Sequence, residues 1–132
     1  MNRRVTRSSW SIETHPSWRV EDDPECLTLT KSDETGAFQL SSVMKEAGSI
    51  TQLEVKQFAS EETDLMGVPS PVKFTHFLGF EVSYSEKGIH WHRYWLANSN
   101  ILVFATYNGS SANWDSEKQE VIQMLNTIDL NS

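Results

Sequence analysis

His90 and His92 are the pair of side chains best placed to do chemistry in this 132-residue chain. In an extended strand, residues i and i+2 project to one face, so both imidazoles can approach one ion. Two histidines make half of a tetrahedral zinc shell. His76, Glu81 or Glu86 would have to be brought in by strand pairing to complete it. The competing reading is structural: the histidines alternate with Ile89, Trp91 and Arg93 on a strand whose other face packs. A one-residue slip in register reverses every side chain, so the sequence leaves their face open. The same pair also offers a pH-dependent surface, because imidazole titrates near neutrality.

The aromatic residues around them offer binding rather than catalysis. Trp91 and Trp95 share a face with Ile89, and Tyr94 lies on the histidine side. The tryptophans read first as core beneath a helix. The functional alternative is a groove for a hydrophobic segment of a partner, since Trp and Tyr dominate interface hot spots. Trp114, in Ser-Ala-Asn-Trp-Asp just before the last helix, is either a staple against that helix or an exposed anchor. The partner-binding candidates are therefore Trp91, Tyr94, Trp95 and Trp114, and the metal candidates His90 and His92. No residue stands out as catalytic. There is no Gly-x-Ser-x-Gly elbow. Asn108-Gly109-Ser110-Ser111 is too short for a phosphate loop and lacks its lysine. Glu61 and Glu62 sit in a loop with no apolar setting to tune them for acid–base work. Neither an enzyme nor a bound cofactor is expected.

Composition sets the address. The length predicts one domain, large enough to bury a true core. Five Trp, three Tyr and six Phe supply much of its buried area. The net charge of −7 repels nucleic acid and anionic membranes, which argues against both as partners. Cys26 is the only cysteine, so no internal disulfide forms, which fits a reducing, cytoplasmic compartment. Beside Leu27 and Leu29 it reads as a small buried hydrophobe. The N-terminus carries Arg3, Arg4 and Arg7 without an apolar stretch of signal type. No apolar run is long enough to span a membrane as a helix.

The elements that must position these residues follow from periodicity. Residues 1–8 read as a flexible arm and 9–132 as the domain. Trp10 to Thr14 alternates as a short strand, and Pro16-Ser17-Trp18 turns the chain. Glu21, Asp22, Asp23, Pro24 and Glu25 form an acidic loop that lacks EF-hand spacing and its glycine. Cys26–Thr30 and Ala37–Met44 are strands joined by a turn over residues 32–36. In the second, Phe38, Leu40 and Met44 share a face that Ser42 interrupts. Ser49 with Gln52 is a capping-box pattern that predicts a helix over 50–60. Ile50, Leu53 and Phe58 would be its core face, within an arc of about 140°. After a Pro-containing loop come strands through Val72–Leu78, Phe80–Ser85, Ile89–Leu96 and Ile101–Thr106. Gly79 reads as a bulge or bend. The run Ile101-Leu102-Val103-Phe104-Ala105 is apolar on both faces, so it is a central strand covered above and below. A last helix, capped by Asn113, Asp115 or Ser116, carries a stripe of Val121, Ile122, Leu125 and Ile128. Glu117 near its start suits the helix dipole. The order β-β-β-α-β-β-β-β-α gives α+β, an antiparallel sheet covered by helices on both faces.

On several segments the chain resembles the fold shared by PsbP, the Mog-type Ran-binding factor and many small bacterial proteins. The segments are His15-Pro16-Ser17-Trp18 after a first strand, Gly36-Ala37-Phe38-Gln39-Leu40-Ser41-Ser42, and Trp91-His92-Arg93-Tyr94-Trp95 leading into Leu102–Tyr107. Glu117–Leu130 is similar to the closing helix with its terminal Ile-Asp-Leu. The resemblance spans about residues 9–130 and implies an α/β/α sandwich. Its motifs are core and turn residues, so it transfers no active site. Members of that fold are mostly binding modules. The resemblance therefore implies a non-enzymatic protein-binding module, an adaptor or immunity-type protein, monomeric or homodimeric. A metal-binding protein built on the His-x-His strand and a small-ligand carrier with a cleft between sheet and helix are the alternatives.

Overall fold

The apolar run that begins at Ile101 lies in strand β9 (Ile101–Ser110), the middle strand of a seven-stranded antiparallel sheet. The computed structural model describes residues 2–31, 36–62 and 67–131. The other strands are β1 (Arg3–Thr6), β2 (Trp10–Thr14), β3 (Arg19–Asp22), β4 (Leu27–Thr30), β5 (Ala37–Met44), β6 (Ser70–Lys73), β7 (Leu78–Glu86), β8 (Ile89–Asn98) and β10 (Asp129–Leu130). The helices are α1 (Gln52–Glu62) and α2 (Ser111–Leu125). The large sheet has the order β3-β4-β5-β9-β8-β7-β6, and β1-β2-β10 form a second, three-stranded antiparallel sheet.

The register of the large sheet assigns every side chain to a face. Directly paired residues lie on the same side, so Leu96, Val103 and Ser42 share one face, and Ala97, Leu102 and Val43 share the other. Two hydrophobic clusters result. On one face Val55 and Ala59 of α1 pack on Val82, Trp95, Ala97 and Leu102. On the other, Val121, Met124 and Leu125 of α2 join Trp10 and Ile12 of the small sheet over Phe38, Leu40, Leu96, Val103 and Tyr107. Both faces of β9 are thus buried at Leu102, Val103 and Ala105, which is why its sequence does not alternate. The molecule is a mixed α+β protein with two antiparallel sheets and two helices. The expected layering by helices alone is replaced by a sheet-dominated arrangement, because a three-stranded sheet shares one layer with α2.

That small sheet accounts for several corrections. The expected flexible arm, residues 1–8, instead supplies β1, which pairs Val5 with Ile12 and buries Val5. Strand β10 closes the other side, pairing Leu130 with Trp10. Ser42, which interrupts the apolar face of β5, accepts a hydrogen bond of 2.8 Å from the Trp10 indole N–H. The break in the pattern is the polar partner that lets a tryptophan be fully buried. Glu21 and Asp22 of the expected acidic loop belong to strand β3, and Asp23–Cys26 turn, through paired backbone bonds of 3.1 and 3.2 Å. Residues 32–35 of the expected turn over 32–36 lie outside the described residues, as do Asp64 and Met66 of the Pro-containing loop.

Gly79 is no bulge: it pairs with Leu96 within an unbroken β7. A Cβ there would strike the Trp95 carbonyl, so only glycine lets the two backbones approach at this point. The β7–β8 turn uses positive φ at Lys87 (52°) and Gly88 (80°), as a two-residue hairpin requires.

Helix α1 starts later and faces differently from the expectation. The capping box is Thr51 with Glu54: the Glu54 N–H donates to Thr51 Oγ1 at 3.1 Å, and the Thr51 N–H donates to Glu54 Oε1 at 3.0 Å. Val55 and Ala59 are buried, whereas Leu53 is 67% and Phe58 44% exposed. A small Val/Ala face lets the helix lie close on Trp95, and the large residues are left outside. Replacing Val55 by Ala is expected to cost about 2 kcal/mol of stability. Replacing Leu53 by Ala is expected to change it by less than about 0.5 kcal/mol. Urea unfolding of the two variants checks the facing, and the reverse order would refute it.

Candidate functional site

The parity of β8 divides the candidate residues between the two faces of the sheet. Tyr94, His90 and His92 look toward α2. Trp91, Arg93 and Trp95 look toward α1. The four aromatic candidates therefore do not line one groove. Tyr94 and Trp95 are both buried, on opposite sides. Trp114 and Trp91 are half-buried, also on opposite sides.

On the α2 side, the first turn of α2 lays Trp114 across the histidines. Its ring centroid is 5.1 Å from His90, 4.7 Å from His92 and 4.9 Å from Tyr107. His92 also stacks on Tyr94 at 4.7 Å. Trp114 thus lies inside the helix, not before it, and packs on the sheet, held where Ser110 caps the helix by accepting from the Asn113 N–H at 3.0 Å. The cap lies earlier than the expected Asn113–Ser116 because β9 runs straight into the helix. His92 Nε2 lies 2.6 Å from Glu81 Oε1, so its one accessible partner is a carboxylate of the neighbouring strand. Among the described residues no three His, Cys, Asp or Glu side chains come together in a metal-ligating group. His90 and His92 do share a face, as the i, i+2 rule requires, but they are packed as rings in an aromatic stack. Burial first, and then the neighbouring His92, holds the His90 imidazole below its ordinary value, with Asp115 opposing the shift.

Glu117 was read as a helix-dipole residue and is instead the buried polar centre of this side. It is 1% exposed. Its Oε1 accepts from the Tyr107 hydroxyl at 2.5 Å and from the Gly36 N–H at 3.1 Å. Burial, then the hydrogen bond and charge of Glu117, raises the Tyr107 phenol far above its usual range. Gly36 and Gly109 open the space for this contact: a Cβ on Gly109 would lie 2.9 Å from the Gly36 Cα and 2.9 Å from the Tyr107 hydroxyl. The sequence carried one usable signal, a carboxylate one turn before Val121 on the same face as the apolar stripe. Val121 and Leu125 are buried as expected, Met124 joins them, and Ile122 is 40% exposed.

A third polar group sits where the small sheet meets α2. His15 Nδ1 accepts from the Ser17 N–H at 3.2 Å and lies 2.7 Å from Ser17 Oγ, while His15 Nε2 is 3.4 Å from Glu120. Glu120 is also bonded to Lys31 at 2.9 Å. Burial tends to raise the Glu120 carboxyl, but Lys31 and His15 outweigh it and hold it low. The order hydroxyl–imidazole–carboxylate is that of a nucleophilic triad. Here, though, the Nδ1 lone pair is shared with a backbone N–H and the carboxylate is tied to a lysine. The group locks the His15-Pro16-Ser17-Trp18 turn and frees no base.

The α1 side carries the accessible surface. Helix α1 covers only the Val82–Trp95–Leu102 end of that face. Beyond it the register sets two rows across the sheet. One is Val82-Arg93-Thr106-Gln39-Thr28-Glu21, the other Tyr84-Trp91-Asn108-Ala37-Thr30-Arg19. Gln39 is exposed, and Tyr84, Trp91, Arg93, Thr106 and Thr28 are half-buried. Tyr84 and Trp91 stack at 6.2 Å with an interplanar angle of 12°. The Arg93 guanidinium lies over both rings, 5.6 Å from Trp91 and 5.9 Å from Tyr84. Sequence reasoning missed Arg93 because a lone charge in a strand reads as solvated.

No protein-family model matches this chain, and no curated protein does. Solved structures do. A crystal structure from Bacteroides thetaiotaomicron superposes with a TM-score of 0.70 at 18% identity, over 93% of this chain and 45% of that one. This chain thus spans less than half of that protein. LpqN of Mycobacterium tuberculosis, involved in cell envelope biogenesis, gives 0.61 at 12% identity, over 100% of this chain and 91% of its own. The cyanobacterial PsbP of Synechocystis gives 0.51 at 7% identity, over 98% and 92%. The chain has a PsbP-like fold. Within the PsbP-like fold the likeness concerns the backbone, and the side chains above belong to this chain.

Two outcomes test the α2 side. Tyr107→Phe leaves the buried Glu117 with one donor fewer and is expected to cost about 1–3 kcal/mol in urea unfolding. Glu117→Gln keeps an acceptor for both donors and is expected to cost less. The opposite ranking would overturn the assignment of Glu117 as an acceptor hub. For His90 the folded value is lower than the unfolded one. Its contribution is therefore present above about pH 6.5 and lost as pH falls through the lowered folded value. Thermal melts between pH 8 and 5 are expected to show this loss, and His90→Asn to flatten it; a parallel decline in the variant would refute the attribution.

Proposed function

We propose that this chain is a non-enzymatic protein-binding module, of adaptor or immunity type, that holds a protein partner on the uncovered part of its large sheet. What supports the reading is the unequal covering of the two faces. One face is closed by α2 and the small sheet. The other is covered by α1 at one end only, and its remainder presents the Tyr84–Trp91–Arg93 stack beside Thr106, Gln39 and Thr28. Aromatic rings and an arginine fixed on a rigid sheet lose little side-chain freedom on binding, and such residues concentrate binding energy. In this reading the layers are α1, large sheet, and α2 with the small sheet, an α/β/α sandwich with one side left partly open.

The same reading places the protein in a reducing cytoplasm, where Cys26, a half-buried free thiol at the start of β4, needs no partner. Among the described residues no helix is long and apolar enough to cross a membrane. The module works as a monomer or a homodimer.

Immobilised protein is expected to enrich one protein stoichiometrically from a lysate of the native host. Gln39→Arg, in the middle of the open rows, is expected to cut that recovery by about tenfold or more. Leu53→Ser, on the outer side of α1, is expected to leave it unchanged. Recovery that survives Gln39→Arg but fails with Leu53→Ser would move the site to α1 and refute the sheet-face reading.

A further inference from the structure

We infer that Arg93 is the anion-reading centre of the open face and takes the side-chain carboxylate of an Asp or Glu on a protein partner that is net basic overall. The inference deepens the protein-binding reading and rests on it.

The first observation is that Arg93 is built in but unpaired. Its guanidinium is clamped over Trp91 and Tyr84. Its Nε is buried and meets no acceptor. Among the described residues no carboxylate forms an ion pair with it. Arg4, Arg7, Lys31 and Lys45 hold carboxylates, whereas Arg93 is held by aromatic rings instead. The chain carries 18 acidic and 11 basic residues, yet among the described residues the ring-clamped Arg93 has none of those carboxylates against it. Its row neighbours are Val82 and Thr106, neither of which carries charge.

The second observation is the shape of the setting. Guanidinium is planar, and its terminal amino groups match the two-point hydrogen bonding that carboxylates accept. The sheet on either side supplies apolar and neutral polar surface, Trp91 and Phe104 on one hand and Thr106, Gln39 and Thr28 on the other, with Glu21 only at the far end of the row. A carboxylate flanked by apolar or small polar residues fits this pattern. The net charge of −7 repels a second copy of this chain and attracts a basic partner, which leaves a heterologous protein as the occupant.

The test uses the full chain, isotope-labelled, and follows the Arg93 Nε–H resonance together with the backbone amides of Tyr84, Trp91 and Thr106. The probes are the pentapeptide acetyl-Ser-Leu-Asp-Leu-Ser-amide, its Asn counterpart and inorganic phosphate. The Asp peptide is expected to move the Arg93 signal and the face amides, with about tenfold tighter binding than the Asn peptide. Added salt is expected to weaken it. Arg93→Gln is expected to abolish the difference between the two peptides, and Arg93→Lys to restore only part of it. Circular dichroism and thermal melts confirm that both variants fold.

Equal binding of both peptides at the face would overturn the carboxylate assignment while leaving the docking surface standing. Shifts confined to other arginines and lysines, or no shift at the face with either peptide, would overturn both. Phosphate moving Arg93 at concentrations well below the Asp peptide would overturn the choice of a carboxylate. A dimer in sedimentation that Arg93→Gln dissociates would replace the partner by a second copy.

Discussion

The burial of β9 on both faces is the constraint on which everything else rests. A strand with no polar position from Ile101 to Ala105 is stable only where another layer lies above and below it. It therefore takes the centre of the sheet, pairing with β8 along its whole length and with β5 over most of it. That pairing fixes the register. The register then decides which residues of β8 face α1 and which face α2. The His/Trp114 stack, the Tyr107–Glu117 bond and the half-buried Arg93 stack are all consequences of one alignment.

The two faces are finished differently. On the α2 side polar groups are drawn inside and partnered at one atom each, Trp10 by Ser42, Tyr107 and Gly36 by Glu117, His92 by Glu81, while His90 Nε2, His92 Nδ1 and Glu117 Oε2 stay buried without a partner. A low-dielectric interior strengthens such bonds and penalises their loss. On the α1 side a narrow Val55/Ala59 stripe covers only part of the sheet. The remainder stays polar enough for water and aromatic enough for a partner. The difference in cover, rather than any catalytic cluster, is what makes the second face the functional one in our reading.

Much of the frame was legible in the residues. The hairpin at Lys87-Gly88, the central strand at Ile101 and the stripe of Val121, Leu125 and Ile128 follow from local patterns of polarity and turn chemistry. The small sheet was not: β1 is a short edge strand with little apolar patterning, and β10 pairs far away in sequence, Leu130 against Trp10. The facing of α1 misled for a physical reason. Large apolar residues suggest a core face, yet the tight space above Trp95 admits only Val and Ala, and Leu53 and Phe58 stay outside.

By itself, then, the sequence determined the alternation along β8: His90, His92 and Tyr94 on one side and Trp91, Arg93 and Trp95 on the other, because the strand period is two. It also determined that β9 had to be interior. Only the tertiary structure decided which side α2 would close, that Trp114 would cap the histidines, and that Glu117 would sit in the core instead of at a solvated helix start. Those outcomes depend on contacts between residues far apart in sequence, such as Gly36 with Glu117, 81 positions on, which no local periodicity encodes.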